Sequence, residues 1–527
     1  MLLTRDKVVL EFAVLLVSLV SLSWSADILA IIPTPSYSHQ IAFVPLWREL
    51  SLRGHKVTVI TTDPTNDPKL TNLTEINMKR AYNFFTNMNE IADSMTMWNI
   101  QESFLQMINA IIEEELSDPS VQDLIHNKRN FDVVIAEHFY PELLGFAEIY
   151  QTPRILIASL DTFGYVHNSV GNPSHPSVYP DLLTPFYPPL SFQERLVSTF
   201  FSWYTSYFTT YRNYPEKQKL MQKYFNTTTP VVNIMSDIDL LILNVNPVIQ
   251  LVRALGPTTI NIGGFRPGKT SSLQLSKDLK QFLDGANHGF IYFSLGSNIK
   301  SKDLGESTLR SIITALSEVP YKVLWKFEAD HLPGQPNNVK LVKWAPQEQI
   351  LAHPNIKLFV TQGGLQSMEE GIYSEVPFVV IPFFGDQEQN ANLMRSKGIA
   401  RIVNRKPFIE TGDLKNAILE VINNPSYKNT VKKLKYLALD TPMTGIENAI
   451  WWIEYVVRHN GTKHLRNPIA DLPSYQYYLL DVVGFLIALM CLIIWITILL
   501  AKLLLRGLTM FISILVIDKE QSKLKEQ

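Results

Sequence analysis

The chain has 527 residues, 46% of them hydrophobic and 18% charged, with a formal net charge of −2. That length holds two domains plus accessory segments, and so small a charge leaves no electrostatic footprint for nucleic acid. A single cysteine, Cys491, excludes an intramolecular disulfide, so the fold rests on its cores.

The N-terminus carries Arg5 and Lys7, then an apolar run from Phe12 to Leu22, then Ser23 and Ser25 as small residues before a cleavage point. This pattern predicts a secretory signal peptide over residues 1–25. Asp27–Ile32 is an apolar run with the length of a buried strand. The turn PTPSYS leads into a helix expected from about His39 to Arg53. Gly54 takes the place after the helix end, and Lys56–Thr61 is the next strand. Phe131–Ala136 and Arg154–Ala158 read as later strands of the same sheet, within an N-terminal domain over 26–262. Asn72, Asn226 and Asn460 head N-glycosylation sequons, whereas Asn172 and Asn424 precede proline and do not count. The run GGFRPG from Gly263, with serines after it, predicts a linker over 263–280.

A second alternating pattern opens at His288–Leu295, a strand followed by Gly296 and Ser297. Leu309, Ile312, Ile313 and Leu316 mark a helix, and Val323–Phe327 the next strand, in a C-terminal domain over 281–460. Two such alternations imply an α/β fold of two doubly wound domains facing a cleft.

The densest chemistry lies between Trp344 and Gln387. Ile356–Val360 is a strand, Gly363 and Gly364 break it, and apolar residues at Leu365, Met368 and Ile372 recur at helical spacing. Strand, glycine turn and helix together aim backbone N–H groups and a positive dipole end at phosphate oxygens. Gln366 and Glu370 share one helix face, and a carboxylate at Glu370 suits ribose hydroxyls. Trp344 can stack on a flat uracil, and Gln347 offers a donor and an acceptor to a nucleotide edge. Ser367 can donate to a phosphate. Asp386 and Gln387 follow the apolar run Phe378–Phe384 and would reach sugar hydroxyls from a strand's carboxyl end. The set describes a nucleotide-sugar site.

Sugar transfer from such a donor needs a base for the acceptor hydroxyl. His39 lies after the first strand at the start of a helix, a place that keeps imidazole neutral and basic. Such a base needs a carboxylate behind it, and Glu137 ends the FDVVIA strand on the same edge. His138 should point to the other face.

Val482–Ala501 is twenty residues without a charge, enough to span a bilayer, with Lys502 and Arg506 directly after it. Positive charge on that side puts the tail, 502–527, in the cytosol and the bulk of the chain in the lumen.

The ordered set WAPQ, TQGG, Glu370 and Asp386-Gln387 resembles the signature of the UDP-glycosyltransferase family. The resemblance covers about residues 26–505, including GHKVTV and the WWIEYV helix. It implies a GT-B architecture and an inverting transfer from a UDP-sugar to a small lipophilic acceptor, as in conjugation of xenobiotics, phenolics or steroids. It implies no cofactor or metal, the UDP-sugar being a co-substrate. It implies a diphosphate contact at Ser297, with donor contacts at Gln362, Gly363 and Gly364. It also implies a histidine–aspartate dyad, matched by His39 and, one methylene longer, by Glu137. Gln362 stands where many members have histidine; glutamine there resembles invertebrate members, which points to UDP-glucose as donor. The terminal KLKEQ resembles a dilysine retrieval signal of endoplasmic reticulum membrane proteins. Open alternatives are UDP-galactose or UDP-glucuronate as donor, a lipid acceptor, or an inactive ligand-binding membrane protein on the same fold.

Overall fold

Runs of β-branched and other apolar residues form the strands of two parallel sheets in this computed structural model. It describes residues 25–86, 88–127, 129–263, 275–405 and 409–525. The expected signal peptide (Ser25 apart), most of the expected linker and the last two residues lie outside these.

The first sheet has seven strands: β1 (Asp27–Ile32), β2 (Lys56–Thr61), β3 (Leu73–Asn77), β4 (Val133–Glu137), β5 (Arg154–Ala158), β6 (Leu240–Leu243) and β7 (Thr259–Asn261). Their order is β3-β2-β1-β4-β5-β6-β7. The second has six: β8 (Phe290–Ser294), β9 (Lys322–Lys326), β10 (Val339–Val342), β11 (Ile356–Thr361), β12 (Phe378–Val380) and β13 (Ala400–Ile402), ordered β10-β9-β8-β11-β12-β13. The strand order reverses between β1 and β4 in one sheet and between β8 and β11 in the other. Crevices at the carboxyl ends of such reversals are where α/β sheets bind ligands.

Apolar clusters cover both faces of each sheet. Leu29, Ile31, Val134 and Leu156 lie on one side of the first sheet, and Ile28, Ala30, Val133 and Ile155 on the other. In the second sheet Phe293, Trp325 and Val360 pack opposite Tyr292, Leu324 and Phe359. Strands buried on both faces read as continuous apolar runs, which is why the sequence displays them.

Four expectations are corrected. The helix expected from His39 to Arg53 is two helices, Tyr37–Ile41 and Val44–Leu52. Pro45 lacks an N–H and its ring opposes the carbonyl four residues back, so the chain restarts there. The strand expected at Phe131–Ala136 begins at Val133 and ends at Glu137. A helix at Lys277–Asp284 starts inside the expected linker. The helix Gly445–Arg458, expected in the second domain, packs Ala449, Ile450, Ile453 and Val456 into the first sheet's core.

Both sheets belong to one compact unit ending at Asn467; Pro468 begins a second. The second unit carries the helix Leu480–Lys525, of which Leu480–Ser522 is long and apolar enough to cross a membrane. At 1.5 Å per residue those 43 residues run about 65 Å, twice the hydrocarbon thickness of a bilayer. The helix thus continues well past the expected end at Ala501.

Candidate active site

β1 and β4 are neighbours, so His39, in the helix after β1, meets Glu137, the last residue of β4. His39 Nδ1 lies 2.6 Å from Glu137 Oε1 and 3.1 Å from Ser159 Oγ. The Glu137 side chain is fully buried and that of His39 is 15% exposed. Thr34 holds the second carboxylate oxygen: its hydroxyl donates to Oε2 at 2.6 Å and its backbone N–H at 3.3 Å. Tyr140 Oη is 2.9 Å from the Thr34 hydroxyl. Glu115 is buried nearby, and neither of its carboxyl oxygens has a partner among the described residues. Burial, with the charge of Glu137 beside it, pushes the Glu115 carboxyl well above the ordinary range. His138 turns away from His39's partner: it is buried, its Nδ1 is 2.6 Å from Thr162 Oγ1, and burial lowers its pKa to about 3.

The elements expected to hold the donor stand on the carboxyl ends of the second sheet. Gly363, between β11 and the helix Leu365–Tyr373, has φ +88°, and a Cβ there would meet Val380 Cγ1 at 2.8 Å. Gly364 caps that helix. One turn in, Gln347 donates to Ser367 Oγ at 3.0 Å and to Glu370 Oε2 at 2.7 Å, joining three of the expected residues. Burial raises the Glu370 pKa to about 7, against a partial lowering by the Gln347 hydrogen bond. Trp344, 52% exposed, meets Tyr37 of the first domain edge-on at 5.3 Å. Ser297 follows β8, its hydroxyl 3.3 Å from Asn298 Oδ1. Gln362 is buried against the Gly296 turn, and its amide oxygen has no partner among the described residues.

Asp386 and Gln387 start the helix Gln387–Ser396 after β12. Asp386 accepts from Asn390 at 2.6 Å, and the same amide donates to Gly363 O at 3.0 Å. Burial raises the Asp386 carboxyl above its usual range. Gln387 is buried, and its amide oxygen accepts from Phe383 N and Phe384 N. That oxygen shapes the turn, which leaves Asp386 as the more available group of the pair.

Between the sheets opens a cavity of about 230 Å³. His39, Asn298, Gln362, Gly364, Asp386 and Gln387 reach it on one side. On the other it is walled by apolar side chains of the helix Ile100–Leu116 and by Phe139, Phe163 and Phe208. The domains are pinned beside it by Gln366 Nε2 donating to Ser159 O at 3.0 Å and Ser36 Oγ donating to Asn298 Oδ1 at 3.2 Å. Asn298 and Asn390 were not singled out from sequence. Each acts through a partner beyond its own turn, and an isolated asparagine carries no local signal of that.

Asn72, Asn226 and Asn460 are all exposed, the last two in left-handed backbone positions after helices.

This arrangement can hold a donor along the second sheet with its reacting end against His39. The model of the family described as UDP-glucoronosyl and UDP-glucosyl transferase matches residues 27–514. The chain is 33% identical to UDP-glucosyltransferase 2 of Dactylopius coccus, over 92% of this chain and 94% of the relative. It is 32% identical to UDP-glucuronosyltransferase 2B33 of Macaca mulatta, over 87% of this chain and 90% of the relative. Among solved structures, TcCGT1 in complex with UDP shares the fold with a TM-score of 0.57 at 14% identity, over 83% of this chain and 100% of that one. The paired parallel sheets are a GT-B fold, and this chain belongs to the UDP-glucoronosyl and UDP-glucosyl transferase family as a UDP-glycosyltransferase enzyme.

Proposed function

We propose that this enzyme transfers glucose from UDP-glucose to a hydroxyl of a small lipophilic acceptor with inversion at the anomeric carbon. The observation that carries the reading is the His39–Glu137 contact at 2.6 Å, opening on a cavity whose far wall is apolar. With Nδ1–H committed to Glu137, Nε2 is the basic nitrogen. It takes the acceptor proton as the oxygen attacks the anomeric carbon. The bond from that carbon to the diphosphate oxygen breaks, and UDP leaves from the opposite face. Glu137 stabilises the imidazolium formed. The backbone at Gly363-Gly364 and the Ser297 turn receive the diphosphate charge, so no metal or cofactor enters the scheme.

The choice of a neutral sugar rests on charge. Among the described residues lining the cavity, the lysine and arginine count is one, Lys217, and it is already paired with Glu142 at 2.7 Å. A glucuronate carboxylate would instead face Asp386. Trp344 and Gln347 take the uracil, Ser367 the phosphate and Glu370 the ribose. Asp386 takes the sugar hydroxyls, with Gln387 holding the turn.

The apolar wall suits phenols and steroids, which makes conjugation of lipophilic compounds the role. The long C-terminal helix anchors the chain as a single-pass type I protein of the endoplasmic reticulum, catalytic domains in the lumen. Asn72, Asn226 and Asn460 are the glycosylation sites there.

The test is UDP release with UDP-glucose, UDP-galactose and UDP-glucuronate against phenol and steroid acceptors. His39→Ala is expected to lower kcat by about 10²–10⁴, the worth of a positioned base. Glu137→Ala lowers it too, and Glu137→Asp lowers it less while restoring the commoner residue. Undiminished activity in His39→Ala and Glu137→Ala refutes the dyad. Donor binding without turnover on any acceptor would mark a binding protein instead.

A further inference from the structure

Three adjacent strands of the second sheet end at the two halves of the donor site, and one buried side chain lies between those halves. β10 leads to Trp344, β8 leads to the Gly296–Ser297 turn, and β9, paired to both, ends at Lys326. The Lys326 side chain is only 8% exposed. Its ammonium donates to Gly296 O at 2.9 Å and to Glu328 Oε1 at 2.8 Å. Its Nζ also stands 5.5 Å from the centroid of the Trp344 ring.

Each contact constrains a donor element. In a trans peptide the carbonyl of one residue and the N–H of the next point in opposite directions. Holding Gly296 O therefore fixes the direction of the Ser297 N–H, the group offered to the diphosphate. Gly296 sits at φ +75°, and the Gln362 amide packs against it in the space a Cβ would take. A cation against an indole face is attracted by the ring quadrupole, which pins the ring while leaving Trp344 half exposed for a base. Glu328 balances the buried charge. A buried lysine is costly without such partners, so its presence here calls for a use.

We propose that Lys326 is a positioning residue for the donor: it locks the uracil platform and the diphosphate turn at one spacing, so that a UDP-sugar binds a site already set. It touches neither the reacting carbon nor the acceptor. The inference rests on the reading that places uracil on Trp344 and the diphosphate at Ser297.

The experiment uses the full-length enzyme in detergent micelles. Binding of UDP and of uridine is measured by calorimetry, and KM is measured separately for donor and acceptor. Lys326→Met is expected to raise the donor KM about tenfold and to weaken both UDP and uridine, with the acceptor KM changed by less than about twofold. Lys326→Arg, which keeps the cation and the donor, is expected to recover most of the loss. Lys326→Met with Glu328→Gln removes the stranded carboxylate and should show the same split between the two KM values. An unchanged donor KM, equal rises in both KM values, or an arginine variant as impaired as methionine overturns the inference. If wild type binds UDP but Trp344→Ala binds it equally well, the placement of the base falls and the inference falls with it.

Discussion

Glu370 illustrates how a single group's environment sets a pH dependence. Burial disfavours the charge and pushes its carboxyl up from 4.5 to about 7, and the Gln347 amide offsets only part of that. Ribose hydroxyls donate their hydrogens best to the ionised form. Raising the pH through this region ionises Glu370 in the free enzyme. The donor KM should therefore fall across that range, most steeply near pH 7, and Glu370→Gln should flatten the profile. A donor KM that rises from pH 6 to 8 in the wild type would contradict this. At this scale the sequence was informative where chemistry and position coincide. His39 lies in the helix after β1 and Glu137 closes β4, and each of those strands is revealed by its own composition. Asn298, Asn390 and Lys326 were not legible, because their meaning comes from contacts such as Lys326 Nζ to Gly296 O, 30 residues back.

At the scale of elements, the segment proposed to hold the donor was readable because it is local. β11, the glycine pair and the helix Leu365–Tyr373 are contiguous, and each has its own pattern. The two glycines nevertheless do different work, which composition alone does not distinguish. Gly363 occupies left-handed backbone and lies tight against Val380. Gly364 has φ −64°, and its Cβ would come no closer than 3.7 Å to Gln362. Gly363→Ala should cost about 1–3 kcal/mol of stability and weaken UDP binding. Gly364→Ala should cost less than about 1 kcal/mol. Thermal melts and UDP titrations of the two variants test the contrast, and equal effects would sink it. The first helix shows the opposite case: a continuous apolar pattern hid the break that Pro45 imposes, although the proline was visible in the sequence.

At the scale of the whole molecule, the chain leaves the first sheet after β7, builds the second, and returns. The return is the helix Gly445–Arg458. Its capping box at Thr444 and Glu447 and its apolar face are local signals, so its existence was predictable. Its address was not, since nothing in an amphipathic helix names the sheet it will cover. In the structure Asn448 Nδ2 donates to Asn261 O at 3.3 Å beside β7. Just past the helix, Thr462 N donates to Asp239 Oδ1 at 2.9 Å, ahead of β6. Ile453 is fully buried against the first core. If this helix is part of that core, Ile453→Ala should cost about 2–5 kcal/mol, the range for a buried isoleucine. It should also lower the midpoint of a single thermal transition, because both sheets share one compact unit. If the helix merely lay on the surface, the same substitution would cost less than about 1 kcal/mol. A melt in which the two sheets separate, with UDP still protecting the second, would show instead that the return strap carries the coupling between the domains.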